Sequence, residues 1–248
     1  MSRITLKSAL FLFSCVSIGL AAQAPQVQQL PVDISPADLG KRARAAIGDE
    51  QAWKSVTSTV SRGVIEIQGI DKVGTIEEIE ASPNLSYMRL AIPGVIDSSQ
   101  GCDGRVAWEK DGEGVRELEG VELKEALDDC LFLASLDMER TYKELKVAGK
   151  ARQGDLEFYL VDAYTRTGDQ QVLTIDSRTF LPVMVVSQRH IDGKVVPLPM
   201  VTKDYRDVGG LRLPHLLNSK LGGSRITIRF TSIEANAPFD KALFSKPK

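Results

Sequence analysis

Histidine and cysteine, which proteins use most often for metal binding and nucleophilic catalysis, are scarce in this chain. Its 248 residues include two histidines and three cysteines. Neither histidine lies within metal-ligand spacing of another histidine or of a cysteine. The chain also lacks a Gly-x-Ser-x-Gly elbow, a phosphate-cradling glycine loop and a dinucleotide-binding fingerprint. The sequence therefore predicts no catalytic residue, no metal site and no cofactor.

The chain also lacks a strong excess of charge of either sign. Lysine and arginine number 31 against 33 aspartates and glutamates, a net charge of −2, and the two signs are interspersed along the sequence. A nucleic-acid-binding domain needs a basic stripe or patch on one face. We therefore expect a mixed, solvated surface and no nucleic acid partner.

An apolar run at the N-terminus is too short to span a membrane. Arg3 and Lys7 precede this run at residues 9–20, and small alanines follow it as far as Ala24. This order is typical of a secretory signal peptide, which we predict at residues 1–24. The mature chain is then expected to lie in the periplasm without a transmembrane segment.

The sequence allows two interpretations of Cys15 and two interpretations of the pair Cys102 and Cys130. Cys15 follows Leu12-Phe13-Ser14 as in a lipoprotein box, so a lipid anchor on Cys15 is the alternative to a cleaved signal peptide. If Cys15 leaves with the signal, Cys102 and Cys130 remain, an even number in an oxidising compartment. Cys102 and Cys130 then form either a disulfide or two separate buried thiols.

The rest of the chain is predicted to be one domain, because no linker interrupts it. A Gln- and Pro-rich stretch is expected to be a flexible leader at residues 25–34, and the domain occupies residues 35–248. Ser35 as N-cap and Pro36 at the first helical position predict a helix that ends near Gly48. An apolar stripe predicts a second helix in the region 120–136.

Most of the domain alternates apolar and polar residues, which is the period of a strand with one solvated face. Residues 226–231, for example, alternate Ile and Phe with Thr and Arg, and glycine pairs at 209–210 and 222–223 mark tight reversals. Many such strands with glycine-bearing turns predict one long, strongly curved antiparallel sheet. Phe239 and Phe244 are expected to plug an open end of this sheet.

Two groups of acidic residues interrupt the otherwise mixed charge pattern. Asp128 and Asp129 are neighbours on the second predicted helix, where adjacent side chains diverge by about 100°. We interpret them as a solvated helix edge. Glu77, Glu78 and Glu80 lie in a predicted strand. They would either bind a cation or a basic partner, or protect an edge strand from aggregation.

Several stretches, taken together, resemble a known exported family. They are DGRVAWE at 103–109, YLV at 159–161, TIDSRTFLP at 174–182, DYRDVGGLRLP at 204–214, and an ending with Asn236, Phe239-Asp240 and Phe244. The combination resembles the LolA-like, outer-membrane-lipoprotein-sorting proteins of the bacterial periplasm. The similarity extends over nearly the whole mature chain, and it consists of turn and strand signatures rather than catalytic residues.

The resemblance implies both a fold and a range of functions. The fold is mainly β (α+β), an incomplete, strongly curved antiparallel barrel of about eleven strands with helices covering its mouth. In the carriers of this family the hollow holds lipoprotein acyl chains, whereas other relatives are sensors in envelope stress signalling and at least one is an enzyme. Carriers also use a strand arginine that bonds to the helical cover and is displaced by cargo.

A curved sheet with aliphatic residues on its concave face must either fill that face or leave a groove for an acyl chain. The two predicted helices are the expected covers. The candidates for an apolar ligand-binding groove are Ile65, Ile67, Met88, Leu90, Trp108, Phe158, Leu160, Val183, Val185, Ile226 and Ile228.

Three functional hypotheses follow from these observations. The first is a periplasmic binding or carrier protein that shields a lipid or lipoprotein acyl chain, with envelope proteins as further partners. The alternative is a non-carrier interaction or sensor module of the cell envelope that has the same fold and a filled core. The third is an enzyme, whose polar groups would be found around His190, His215 or Asp176.

Overall fold

A computed structural model describes residues 27–191 and 193–247 of the chain, so the predicted signal peptide and Cys15 lie outside the described residues. The α-helices of the described part are α1 (Pro36–Ile47), α2 (Glu50–Ser55), α3 (Gly120–Asp129) and α4 (Met138–Thr141), and a 3-10 helix (Lys241–Phe244) follows the last strand. Within these residues no helix has the length and apolar character needed to cross a membrane.

All strands of the described part belong to a single antiparallel sheet. They are β1 (Val27–Leu30), β2 (Ser58–Ile67), β3 (Gly74–Ala81), β4 (Leu85–Ile92), β5 (Ile96–Cys102), β6 (Ala107–Asp111), β7 (Gly114–Glu117), β8 (Tyr142–Gln153), β9 (Leu156–Thr165), β10 (Gln170–Asp176), β11 (Pro182–Ile191), β12 (Lys194–Val208), β13 (Leu211–Leu221) and β14 (Ser224–Ala235). Their spatial order is β1-β8-β9-β10-β11-β12-β13-β14-β2-β3-β4-β5-β6-β7, so β1 and β7 are the edges of an open sheet. The prediction of a mainly β, open and curved antiparallel sheet is confirmed.

The sheet has fourteen strands, whereas about eleven were expected. The three additional strands are β1, β5 and β7, and none of them has the apolar alternation that indicates a strand. The strand β1 lies in the expected flexible leader, where its glutamines pair with the edge of β8. Asp33 beyond it accepts hydrogen bonds from Lys150 and Tyr159. The strand β5 is polar on both faces, and β7 is short. Backbone pairing with a neighbouring strand therefore orders segments that have no apolar alternation.

The first predicted helix is confirmed as α1, with its cap and its buried face. Ser35 Oγ accepts a hydrogen bond from the backbone N–H of Asp38, with an N–O distance of 3.1 Å. Leu39 and Ala43 are fully buried in a cluster that includes Val161 and Ile175 of β9 and β10. The helix therefore packs on the face of the sheet that carries Val161, which we call the inner face.

The second predicted helix is shorter than expected. The helix α3 ends at Asp129, and residues 130–136 form turns. The backbone N–H of Phe132 donates to Pro83 O rather than to the helix, and Leu133 has a φ of 53°, which is outside the helical range. The apolar stripe persists beyond the helix because Phe132, Leu133 and Leu136 are buried in the core without helical geometry.

The C-terminal aromatic residues cover the side of the sheet opposite to α1, which we call the outer face. Phe244 is buried in a cluster with Val60, Ile79 and Trp108, and Phe239 packs edge-on against Phe244. The indole Nε1 of Trp108 donates to Phe244 O at 3.1 Å. The two phenylalanines therefore close an outer surface and not the open end that the sequence suggested, because the chain turns back across β2–β6 after β14.

Candidate functional site

A cavity of about 340 Å³ lies between the inner face of the sheet and a cover. The cover consists of the last residues of α3 together with residues 130–136, and strands β2–β5 and β8–β14 all contribute to the cavity wall. Pockets that bind small molecules usually enclose roughly 300–1,000 Å³. The space is therefore large enough for part of a small organic ligand.

One side of the cavity, formed by β11–β14, is mainly apolar. Leu133 and Leu136 extend this apolar wall onto the cover. The strand residues that form it are Val185, Leu198, Met200, Leu213, Leu217, Phe230 and Ile233. Phe230 reaches the cavity beside a β-bulge, because the register between β14 and β2 shifts directly after this residue. An alkyl chain placed against this wall would lose contact with water.

The part of the cavity wall on β2 and β3 is polar and acidic. Glu78 and Glu80 are two residues apart on β3 and therefore point to the same face. Glu78 pairs across the sheet with Ser61, Glu80 pairs with Thr59, and all four residues line the cavity. The strand β3 lies between β2 and β4, so protection of a sheet edge does not explain its acidic residues.

Asp128 and Asp129 at the end of α3 complete the acidic side. We expected a solvated helix edge here, but both carboxylates line the cavity. Asp128 accepts a hydrogen bond from Thr167, and Asp129 accepts one from Arg189. The two side chains diverge, as neighbours on a helix must, but the cavity is wide enough to be contacted by both.

The pKa values of Glu78, Glu80 and Asp129 are raised at this site. Burial, with the nearby negative charge of Asp129 as a second cause, raises the pKa of Glu78 to about 7. Burial and the charge of Glu78 raise the pKa of Glu80 well above its ordinary range. Burial likewise raises the pKa of Asp129, against the opposing effect of Arg189. The side chain of Asp129 is 54% accessible to water. This accessible side chain is among those that line the cavity.

A row of polar contacts attaches α3 to β11 and to the turn that precedes β10. Arg189 Nη2 on β11 donates to Asp129 Oδ1 at 2.7 Å. Glu125 Oε1 lies 2.7 Å from Nδ1 of His190 and accepts the backbone N–H of the same residue. Lys124 Nζ donates to an oxygen of Asp169 at 2.6 Å. The helix that covers the cavity is therefore held partly by bonds that can break without exposing a large apolar surface.

Arg189 was missed by the sequence analysis. The resemblance implied an arginine that bonds to the cover, but Arg189 carries no local motif and is 60 residues away from Asp129. Its side chain is 21% exposed. Of the described residues that line the cavity, Arg189 is the only basic one. Only the packing of α3 against β11 brings the two groups together.

Most of the predicted groove residues lie on the inner face. Met88 and Val185 line the cavity itself. The strand register places the others of this set beyond the cavity on the same face, with Ile226 opposite Ile67, and Ile228 opposite Ile65. The inner-face residues are Ile65, Ile67, Met88, Leu90, Val185, Ile226 and Ile228.

The remaining predicted groove residues occupy other positions. Trp108 lies on the outer face beneath Phe244. Phe158 and Leu160 are also on the outer face, because the intervening residues of β9 point inward toward α1. Val183 lies at the register shift between β10 and β11, where it has no partner on β10. Alternation thus separates Trp108, Phe158 and Leu160 from the cavity, and Val183 is not among the residues that line it.

The polar residues considered for catalysis have separate local partners. His190 contacts Glu125, and the buried His215 places Nδ1 3.0 Å from Leu213 O. Asp176 accepts the backbone N–H groups of Arg178 and Thr179 in a turn. In the part of the chain that the structure describes, no group of three or more His, Cys, Asp or Glu side chains is arranged to hold a metal ion.

The two cysteines lie together beneath α3. Cys102 at the end of β5 and Cys130 directly after α3 are both free thiols, 2% and 1% exposed. They form one buried cluster with Ala107, against which Leu123 and Leu127 pack.

Comparison with known proteins identifies the fold. No protein-family profile and no curated protein sequence matches the chain. A LolA superfamily protein from Nitrosomonas europaea superposes with a TM-score of 0.58 and 11% identity, covering 85% of this chain and 98% of its own. A DUF1329 family protein from Desulfovibrio piger has a TM-score of 0.57 and 13% identity, covering 85% and 97%.

A third structure extends the comparison to lipoprotein sorting. A domain described as that of an outer membrane lipoprotein-sorting protein, from Vibrio parahaemolyticus, has a TM-score of 0.54 and 8% identity. The match covers 84% of this chain and 94% of that domain. The chain therefore has a LolA-like fold, as its sequence signatures predicted, and at these identities the likeness concerns the fold alone.

Proposed function

We propose that this chain, with its LolA-like fold, is an exported periplasmic protein that binds a lipid or a lipoprotein acyl chain and shields it from water. The observation that carries the proposal is the cavity of about 340 Å³ under α3, with an apolar wall on β11–β14. Affinity would come from apolar burial, at roughly 25 cal/mol per Å² of surface removed from water.

The polar side of the same cavity suits the head of such a ligand. Glu78, Glu80 and Asp129 line the same cavity as the apolar wall. Because their pKa values are raised, they offer both hydrogen-bond acceptors and, when protonated, donors to the polar part of an amphipathic molecule. The proposed ligand is therefore an amphiphile and not a simple hydrocarbon.

Entry of the ligand would require α3 and residues 130–136 to move away from the sheet. Gly120 at the start of α3 has a φ of 55°, so this position already has a backbone conformation that suits a hinge. Arg189, bonded to Asp129, would take the role that the resemblance gives to a strand arginine of the carriers. A ligand head that competes for Asp129 would release the cover.

Uptake of a fluorescent fatty acid tests the proposal, with a pair of matched variants on one strand. Val185→Phe fills the cavity from its apolar wall, whereas Met184→Phe adds a phenyl ring on the other face of β11. We expect the first variant to lose at least about tenfold in affinity, roughly 1.4 kcal/mol, and the second to bind as the unmodified protein does.

Two results would overturn the proposal. One is equal probe binding by both variants, which would place the probe outside the cavity. The other is a protein that takes up no probe and whose native mass spectrum, after purification from its own envelope, shows no bound lipid. The interaction or sensor module with the same fold would then be the better hypothesis. N-terminal sequencing of the exported protein tests the signal peptide and Cys15 separately.

A further inference from the structure

Two buried thiols connect the cover of the cavity to the sheet. Cys130 follows the last residue of α3, and Cys102 is the last residue of β5. The Cys130 thiol donates to the carbonyl oxygen of Asn84 at 2.6 Å, and Cys102 and Cys130 belong to the same buried cluster. The chain between the cysteines contains β6, β7 and α3, so a bond between the two sulfurs would close a long loop.

The surroundings of the two sulfurs differ in a way that suits thiol chemistry. The backbone N–H of Gly104 donates to the Cys102 sulfur at 3.4 Å. A hydrogen bond from Cys130, opposed by burial, lowers the pKa of Cys102. The same contact, together with burial, raises the pKa of Cys130. Cys102 is thus the better nucleophile of the pair, and Cys130 is the partner that holds its proton longer.

We propose that Cys102 and Cys130 form a disulfide that clasps the C-terminal end of α3 to β5, and that its redox state controls how freely the cover of the cavity opens. The disulfide depends only on the juxtaposition of the thiols and on an oxidising compartment. The control of opening rests in addition on the proposed binding function.

The reaction is thiol–disulfide exchange with a disulfide oxidant, for which oxidised glutathione serves as the test reagent. The Cys102 thiolate attacks one sulfur of the oxidant and expels one glutathione thiolate. Cys130 then loses its proton, and its sulfur attacks Cys102 Sγ in the mixed disulfide and expels the second glutathione thiolate. Two protein thiols are oxidised and one glutathione disulfide is reduced. Because both thiols are buried in the folded protein, the exchange takes place late in folding, once β5 and its surroundings are formed and before the end of α3 closes over Cys102.

The clasp has a clear mechanical consequence. The contacts of α3 with β11 involve Lys124, Glu125 and Asp129 and can break and reform. The cysteines lie on the side toward β5 and β6, where they are buried with Ala107. An oxidised protein therefore keeps this side of the cover fixed when the polar bonds break. In a reduced protein both sides of the cover are free to separate from the sheet.

The first experiment locates the disulfide. The full chain is refolded in a mixture of oxidised and reduced glutathione, blocked with an alkylating reagent in denaturant, and digested for peptide mass spectrometry without reductant. We expect a linked pair of peptides containing Cys102 and Cys130, absent after reduction and absent from Cys102→Ala. Recovery of both peptides as separate alkylated thiols, or of mixed disulfides with glutathione only, overturns the proposal.

The second experiment measures the effect on the cover. Oxidised protein is compared with Cys102→Ser/Cys130→Ser, which cannot form the bond but retains two small polar side chains. We expect the oxidised protein to melt about 5–10 °C higher, in line with the usual effect of a disulfide across a long loop. We also expect its rate of fatty-acid probe uptake to be several-fold lower, and reduction of the wild type to restore the faster rate.

The outcomes separate the clasp from the proposed function. Equal uptake rates in the oxidised and reduced states, with the disulfide present, overturn the control of opening. A protein that carries the disulfide but takes up no probe in either state overturns the binding function and, with it, the gate, while the link between β5 and α3 stands. Variants that fail to fold do not affect the peptide analysis of the wild-type chain.

Discussion

Arg189 on β11 and Asp129 at the end of α3 form an ion pair, with 2.7 Å between Nη2 and Oδ1, at the boundary between the cavity and its cover. Asp129 also faces an acidic wall that contains Glu78 and Glu80. The guanidinium of Arg189 therefore has two roles. It ties the cover to the sheet, and its positive charge offsets part of the negative charge of the carboxylates that line the cavity.

Loss of this arginine is expected to loosen the cover and destabilise the protein. Arg189→Met keeps much of the aliphatic volume but leaves Asp129 without its cation. We expect the free energy of unfolding to fall by about 1–3 kcal/mol, because a partly enclosed charge then lacks its partner. Urea denaturation measures this change, and faster probe release would accompany it.

The matched control for Arg189→Met is Arg206→Met. Arg206 also donates to an aspartate at 2.7 Å, but its side chain is 55% exposed and its partner is Asp204, two residues away. Exposed pairs of this kind contribute about 0–1 kcal/mol. If the two variants lose the same stability, the position of Arg189 at the cavity has no special importance.

The acidic wall predicts a stability that falls as pH rises from mildly acidic to neutral. The pKa of Glu78 is raised to about 7 and that of Glu80 is raised as well. The folded state therefore binds more protons than the unfolded state between the ordinary carboxyl range and neutral pH. Stability from this source is complete below the unfolded pKa and is lost as pH rises through the folded pKa. Urea denaturation should give a higher free energy of unfolding at pH 5 than at pH 8.

Glu78→Gln isolates the contribution of one carboxyl. The amide cannot ionise, so we expect the variant to be more stable than the wild type at pH 8 by roughly 2 kcal/mol and to have a flatter stability profile. Glu77→Gln is the matched control, since Glu77 is the next residue on β3 but pairs with Arg62 on the other face. A wild-type profile that rises between pH 5 and pH 8 would contradict this account of the cavity.

Much of the fold follows from local sequence signals. Ser35 and Pro36 begin α1 as caps should, and the glycine pairs at 209–210 and 222–223 form the expected turns between β12, β13 and β14. These signals act within a few residues. The strand β5 was not predicted because it is polar on both faces, and only its neighbours β4 and β6 define it.

The candidate site was less accessible to sequence reasoning. Strand period alone separates Glu77 from Glu78 and Glu80, but it does not say which of the two faces is covered. That depends on the packing of α3 across the sheet, which also brings together Arg189 and Asp129. Trp108 and Leu160 show the same limit, since an apolar residue in a strand is equally suited to the outer face when another segment covers it.

The C-terminal segment is expected to be essential for stability. Phe244 is 2% exposed, and its carbonyl accepts the indole N–H of Trp108. Phe244→Ala should lower the free energy of unfolding by about 3–5 kcal/mol, because it opens a cavity beneath β2–β6. Lys246→Ala is the control. Its ion pair with Glu117 is exposed and its loss should cost less than about 1 kcal/mol. Equal losses in thermal denaturation would refute the outer-face cluster as a major source of stability.

The bend that brings Phe230 into the cavity depends on a close backbone approach at Gly63. A Cβ atom on Gly63 would lie 2.2 Å from the carbonyl oxygen of Arg229. Phe230 pairs with Gly63 where the register of β14 shifts. Backbone atoms cannot move aside as a flexible side chain can, so Gly63→Ala must displace β14 from β2. We expect a loss of about 3 kcal/mol or more in urea denaturation, as for other severely overpacked sites, together with weaker probe binding.

The same substitution elsewhere in the sheet separates this clash from a general effect of glycine. At Gly149 on β8 the nearest atom to an added Cβ is Gln29 Oε1 at 3.7 Å, an ordinary contact distance. Gly149→Ala should therefore be neutral or stabilising by up to about 1 kcal/mol, because alanine restricts the unfolded chain. If both variants are equally stable, the strands must tolerate a shift at Phe230, and the bulge cannot be what sets the shape of the apolar wall.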